Sequence, residues 1–127
     1  MEWTLISTEV VDLIHDAVLN PRELSGRALD KSLDGALARV ENRVHYGLIG
    51  DVFDLAAAYA IAIAQGHCYN DGNKRTAYRV MQLCLELHGM PRPAVPDHVI
   101  GDRIIALAQG LIDDGALADW LRDQAPG

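Results

Sequence analysis

The run from Phe53 to Ala64 constrains the fold of this chain more than any other stretch. Of its 12 residues, 11 are apolar or tyrosine and six are alanine. A helix that is apolar on all sides must be surrounded by other elements, and alanine lets those neighbours approach closely. The run is shorter than the roughly 20 residues that cross a membrane. We therefore predict a central, buried helix that begins after Asp51 and stops at Gly66.

Apolar periodicity predicts further helices on both sides of this one. The first is capped by Ser7 or Thr8 and ends before Pro21. Its apolar stripe is expected to consist of Val10, Val11, Leu13, Ile14, Ala17 and Val18. A second helix, capped by Asp30, repeats apolar residues at Leu33, Leu37, Val40 and Val44.

Three more helices are predicted after the central one. They run from Gly72 or Asn73 to His88, around Ile100–Gln109 and around Ala116–Arg122, while Pro93–Val99 leaves room for a short strand. No other stretch alternates as a strand does. The predicted fold is all-α, a compact bundle of about six helices, in a single domain over residues 1–127.

The charge balance argues against a general nucleic-acid binder. The chain has 11 Lys and Arg against 18 Asp and Glu, a formal net charge of −7, whereas binding to a phosphate backbone needs a net basic face. Two cysteines, Cys68 and Cys84, are too few for a disulfide scaffold or a four-cysteine zinc site. The N-terminus lacks the basic start and apolar run of a signal peptide. We expect a cytoplasmic protein that binds neither nucleic acid directly nor a membrane.

The chemically informative segment is His67–Ala77, with the sequence His-Cys-Tyr-Asn-Asp-Gly-Asn-Lys-Arg-Thr-Ala. It leads into the N-terminus of the fourth helix, where free backbone N–H groups and the helix dipole favour an anion. Lys74 and Arg75 occupy the first turn, where exposed cations are disfavoured by roughly 0.3–1 kcal/mol each. Gly72 lets the backbone approach a ligand closely. Residues that lower the stability of a helix start are expected where function requires them. Here they indicate a site that binds phosphate.

Two further side chains complete a set suited to phosphoryl or nucleotidyl transfer. A polyphosphate normally brings Mg²⁺, and Asp71 offers a carboxylate beside the anion site. His67 is of the residue type that most often acts as general base near neutral pH. Taken singly, each has a structural alternative: Asp71 or Asn70 as a helix cap, His67 as a loop residue, and the two cations as a solvated pair. Their combination within nine residues favours transfer to a hydroxyl.

This segment resembles the signature of the Fic/Doc superfamily, and in particular that of Doc (death-on-curing) toxins. The Fic pattern is His-x-Phe-x-(Asp/Glu)-Gly-Asn-Gly-Arg followed by x-x-Arg. Here Lys74 stands at the second glycine and Tyr78 at the last arginine, as in Doc-type members. The segments Ile14–Ala17 and Ala38–Tyr46 and the helical succession are also Doc-like, so the likeness covers essentially the whole chain. Tyr69 replaces the usual phenylalanine, and its hydroxyl must find a partner.

The resemblance implies a toxin of a toxin–antitoxin system. Carried over by position, His67 would be the catalytic base and Asp71 would hold Mg²⁺. The nucleotide phosphates would be bound by Gly72, Asn73, Lys74 and Arg75. The implied reaction is transfer of the γ-phosphate of ATP to a threonine of elongation factor Tu, which halts translation. The implied inhibitory partner is a cognate antitoxin.

Two alternatives stand beside the protein kinase. A Fic-type adenylyltransferase would transfer the nucleotidyl group instead, although Lys74 together with Tyr78 favours the kinase by family analogy. A catalytically silent interaction module would still arrest growth after His67→Ala. Cys68, Cys84 and His15 are expected to be packing residues.

Overall fold

The computed structural model describes residues 2–125, which form six helices and no strand. The helices are α1 (Thr8–Val18), α2 (Leu33–His45), α3 (Val52–Gly66), α4 (Asn73–Leu87), α5 (Asp97–Ala108) and α6 (Asp114–Gln124). The all-α expectation is confirmed. One isolated antiparallel bridge joins Arg27 to Tyr69. The segment considered for a short strand instead runs into α5, because that helix begins at Asp97 and includes Val99.

The core is built around α3, which packs against α2, α4, α5 and α6. Its alanines are buried, as are Leu55, Tyr59 and Ile63. The Tyr59 hydroxyl accepts a hydrogen bond from the Ile6 N–H at 2.8 Å, which fastens the N-terminal segment onto α3. Burial of the ring raises the pKa of Tyr59 to about 12. The predicted central helix is therefore confirmed in both position and surroundings.

Side-chain caps fix the start of four helices. Ser7, Ser32, Asp51 and Asp113 each accept a hydrogen bond from a backbone N–H in the first turn of the helix that follows. The predicted cap of α2 is wrong, since Ser32 rather than Asp30 holds that position. Ser32 directly precedes the buried Leu33, so the helix begins only where the apolar spacing begins.

The predicted stripe of α1 is too wide. Val11 is fully buried but Leu13 is 69% exposed, because α2 and α4 are the only described helices that α1 packs against. A helix that is covered on one narrow face buries only residues that lie about one turn apart. The second buried position of α1 is accordingly His15.

The packing brings three chain segments together at one end of the bundle. The C-terminus of α3 and the N-terminus of α4 are joined there by residues 67–72. The connection between α1 and α2, residues 19–32, lies against this loop through hydrogen bonds from Ala28 N–H to the Cys68 carbonyl at 2.8 Å and from Asn70 N–H to the Gly26 carbonyl at 3.3 Å. Within residues 2–125, no helix is long and apolar enough to cross a membrane.

Candidate functional site

His67 is held at the very end of α3 with its side chain exposed. Its backbone is left-handed, with φ 49° and ψ 40°, and it is the only non-glycine residue of positive φ among residues 2–125. α3 ends at Gly66, as predicted, although the left-handed residue that follows and terminates it is His67. Helix termination usually places glycine in this conformation. A histidine there projects an imidazole from a rigid helix end into solvent.

Tyr69 anchors the loop in the core, as its aromatic ring suggested. The side chain is 3% exposed, and its hydroxyl donates a 2.6 Å hydrogen bond to Asp12. Burial and the Asp12 carboxylate together raise the pKa of Tyr69. Asp12 is in turn held by Arg27 at 2.6 Å, and this pairing keeps the pKa of Asp12 below its usual range. The Tyr69 hydroxyl, which a phenylalanine would lack, therefore has a hydrogen-bond partner.

His15 ties α1 to the same loop. Its ring stacks on Tyr69 with centroids 3.7 Å apart and an interplanar angle of 6°. Nε2–H donates to the carbonyl oxygen of Asp71 at 2.7 Å. The expectation of a packed polar residue is confirmed, but its contact with the motif loop was not foreseen. The only sequence signal was a histidine at a buried helical position.

Asp71 does not cap the helix that follows it, so the capping alternative is wrong. The N-cap residue of α4 is Gly72, with φ 80° and no side-chain hydrogen bond. The Asp71 carboxylate turns instead toward residues 19–32, where Oδ2 accepts from the Leu24 N–H at 2.8 Å. Oδ1 accepts no hydrogen bond within residues 2–125. One carboxylate oxygen thus positions the side chain and the other is left for a ligand.

The two asparagines of the loop brace its backbone. Asn73 folds back on Tyr69, accepting from its N–H at 3.1 Å and donating to its carbonyl at 2.8 Å. Asn70 donates to the Ser25 carbonyl at 3.2 Å. One amide hydrogen of Asn73 is thereby used, and the backbone N–H of Asn73, in the first turn of α4, remains available to an anion.

The N-terminus of α4 differs electrostatically from the other helix starts of the described chain. Every other helix carries an acidic residue in its first turn. The first turn of α4 has none and carries Lys74 and Arg75, both exposed. No side chain caps its free N–H groups. An anion placed here would meet backbone donors, the positive helix end and two cations together.

Arg75 is already partly engaged by neighbouring residues. Nε donates to the carbonyl of Val18 at 3.1 Å, at the end of α1, and Nη2 pairs with the Glu23 carboxylate. This pairing lowers the pKa of Glu23. Lys74, by contrast, forms no ion pair within residues 2–125. No local sequence pattern indicates the Glu23 contact, because 52 residues separate the partners.

Both cysteines are packing residues, as expected. Cys68 and Cys84 are buried, and burial raises the pKa of each thiol, that of Cys84 to about 12. A Cβ on Gly66 would lie 3.0 Å from the Cys68 sulfur, so this thiol fills the space that a side chain on Gly66 would need. Neither cysteine presents a thiolate for chemistry.

The described residues contain no cluster of three or more His, Cys, Asp or Glu side chains that could form an all-protein metal cage. The donor set of Asp71 instead fits Mg²⁺, which binds through one or two carboxylates and completes its shell with phosphate oxygens and water. Any such ion would need the nucleotide as a co-ligand.

Two comparisons place the chain among known proteins. A sequence model of the Fic/DOC family matches residues 5–85, a span that contains α1 to α3 and most of α4. The chain is also 35% identical over 118 residues to the "Protein kinase doc" of Escherichia phage P1, and the match covers 92% of each chain. The likeness therefore extends well beyond the motif loop.

Proposed function

The chain belongs to the Fic/DOC family, and on that basis we propose that it is a single-domain toxin of the Doc type that acts as an ATP-dependent protein kinase. The acceptor is a threonine of elongation factor Tu, and its phosphorylation in the cytoplasm halts translation. The name of the phage P1 relative, a protein kinase, supports the reaction class. The resemblance to Doc toxins supports the acceptor and a cognate antitoxin as inhibitory partner.

One observation carries this proposal. The loop 67–72 brings an exposed histidine, a carboxylate that is not used as a cap, and an uncapped helix start bearing two cations into one short segment. A chain selected only for stability would cap α4 and place acidic residues in its first turn. The arrangement suits phosphoryl transfer, in which positioning and charge stabilisation supply most of the rate.

Each residue then has a distinct task. His67 accepts the proton of the acceptor hydroxyl as the hydroxyl oxygen attacks the γ-phosphorus of ATP, and the bond from that phosphorus to the bridging oxygen breaks to release ADP. The first N–H groups of α4, together with Lys74 and Arg75, bind the phosphate oxygens and stabilise the charge that develops on them. Asp71 would hold Mg²⁺ through the oxygen that Leu24 leaves free, and the ion would neutralise phosphate charge.

The buried residues keep these groups in position. Tyr69 and Asn73 fix the loop backbone between His67 and Gly72. His15 fixes the peptide of Asp71. Rigid support of this kind matters because a reactive group displaced by about 1 Å can lose roughly a hundredfold in rate.

The direct test is mass spectrometry of elongation factor Tu after incubation with the protein and Mg-ATP. We expect a gain of one phosphate on a threonine. His67→Ala should abolish the gain while circular dichroism shows a folded protein, and His45→Ala, at an exposed histidine of α2, should leave it intact. A gain of an adenylyl group would replace the kinase with the adenylyltransferase. Failure of the wild-type protein to modify the factor would reject the proposed substrate.

A further inference from the structure

A small cavity lies between α4 and α5, beside the proposed phosphate site. Its volume is about 230 Å³, and it is lined by Lys74, Arg75, Tyr78, Gly101, Ile104 and Ile105. We call this cavity the α4–α5 slot. The two cations belong to the first turn of α4, and Tyr78 lies one turn further along the same helix. A ligand held by the cations therefore has an adjoining space into which it can extend.

Gly101 has no structural reason to be a glycine. It lies inside α5 with an ordinary helical backbone, and a Cβ built on it would have no atom within 4 Å. A glycine in a helix interior costs about 1 kcal/mol relative to alanine. Neither the backbone conformation at Gly101 nor close packing around it requires a glycine, so neither explains this loss of stability. The one consequence of the missing side chain is that the α4–α5 slot stays open.

The walls of the slot suit a flat aromatic group. Ile104 is buried and Ile105 is 41% exposed, so the α5 side is apolar. The α4 side offers the half-buried ring of Tyr78, whose hydroxyl donates to Asp97 at 2.9 Å. This hydrogen bond fixes the ring in place. Aromatic side chains bind nucleic-acid bases by stacking with little dependence on base identity.

We propose that the α4–α5 slot binds the base of the nucleoside triphosphate, with Tyr78 as the stacking residue. This inference rests on the proposed function, because Lys74 and Arg75 must hold the phosphates. A flat apolar wall that adjoins two cations matches a molecule with an aromatic ring at one end and phosphates at the other. The open position at Gly101 provides room for the ring.

Two other cavities of the described residues fit a base less well. One of about 460 Å³ is also lined by Arg75 and Tyr78, but its remaining wall contains Arg79, Arg92 and Asp97, which is strongly charged. Another, of about 410 Å³, lies between α2 and α3 and contains neither of the two cations. Only the α4–α5 slot among these three combines both proposed phosphate ligands with an apolar wall.

The test compares two probes, Mg-ATP and Mg-tripolyphosphate, by calorimetry on the full chain. Gly101→Leu places a side chain in the slot, and the helical backbone and open space at this position allow it to fold. We expect the Kd of Mg-ATP to rise about fivefold or more, since that is the least that a stacked base contributes. The Kd of Mg-tripolyphosphate should change by less than about twofold. Tyr78→Ala should act in the same direction and Tyr78→Phe should bind as wild type.

Gln109→Leu is the matched control, since it adds a leucine at the exposed end of α5 and should alter neither Kd. Equal affinities of wild type for the two probes would overturn the base slot and leave the phosphate site intact. Unchanged ATP affinity in a folded Gly101→Leu would overturn it as well. Absence of binding of either probe to wild type would instead reject the proposed function, and the slot with it.

Discussion

His15 and Tyr69 position the motif loop without facing a substrate. Their stacked rings lie beneath the loop; Nε2 of His15 is bonded to the Asp71 carbonyl and the Tyr69 hydroxyl to Asp12. Buried polar groups with hydrogen-bond partners help to define a single conformation. His15 and Tyr69 thus hold the loop in place, whereas the exposed His67 and the half-buried Asp71 are left for the proposed reaction.

The variant Asp71→Asn removes the negative charge of this side chain while keeping its hydrogen-bond acceptor. The asparagine carbonyl can still accept the Leu24 N–H that Asp71 now accepts at 2.8 Å, but it lacks the charge that attracts Mg²⁺. We expect the free energy of unfolding to change by less than about 0.5 kcal/mol. The proposed kinase activity should fall by about 100-fold or more, because a bound metal supplies several kcal/mol of transition-state stabilisation. Chemical denaturation and a phosphorylation assay measure the two effects.

Asp71→Ala provides the comparison. It also removes the acceptor of the Leu24 N–H, so stability should fall by about 1 kcal/mol in addition to the loss of activity. Equal destabilisation by the two variants would mean that the carboxylate charge itself holds residues 19–32, against our assignment.

At the element scale, the start of α4 carries two cations that differ in their surroundings. Lys74 has no ion pair within the described chain, whereas Arg75 is held by Glu23 and the Val18 carbonyl. The helix dipole opposes both. For Arg75 alone, the Val18 carbonyl and the Glu23 carboxylate offset the unfavourable interaction with the helix dipole.

Lys74→Gln and Arg75→Gln should therefore differ in their effects on stability. Lys74→Gln is expected to leave the free energy of unfolding unchanged or to raise it by up to about 1 kcal/mol. Arg75→Gln should lower it slightly, because it removes the exposed pair with Glu23 and the hydrogen bond to Val18. Both should reduce the rise in melting temperature that Mg-ATP produces in wild type. Thermal melts with and without Mg-ATP measure both effects, and an undiminished ligand shift in both variants would rule out a phosphate site here.

The sequence predicts local features of this element better than distant contacts. The start of α4 and its buried face follow from Gly72, Asn73 and the apolar spacing, since these signals lie within a few residues of the helix. The partners of Arg75 and Asp71 lie 52 and 47 residues away. Nothing in the local pattern specifies such contacts, because tertiary packing alone decides which loop reaches the site. His15 was missed as a support of the loop for the same reason.

At the scale of the whole molecule, Arg122 fastens α6 to the start of α3. Its guanidinium bonds Asp51 at 2.8 and 3.0 Å, Asp54 at 3.1 Å and Asp119 at 2.7 Å. Asp51 both pairs with Arg122 and caps α3. Arg122 holds the pKa of Asp51 below its ordinary value of 3.8.

Because Arg122 pairs with Asp51, we expect the difference in stability between wild type and Arg122→Gln to depend on pH. A carboxylate with a lowered folded pKa contributes stability above its unfolded pKa and loses it as the pH falls through the folded value. Arg122→Gln should therefore be less stable than wild type by about 1 kcal/mol near pH 7, and the gap should close below about pH 4. Urea denaturation across this range measures it. Arg79→Gln, at an exposed pair 3.7 Å from Glu86, is the control and should show little gap at any pH.

The left-handed backbone of His67 has a consequence for directed evolution. Any residue with a Cβ is strained by about 1 kcal/mol at such a φ relative to glycine, and asparagine tolerates it better than most. A library screened for heat resistance alone should therefore enrich glycine or asparagine at this position, and with them inactive protein. Only a screen that also demands phosphorylation would retain the imidazole, so thermostability and activity would have to be selected together.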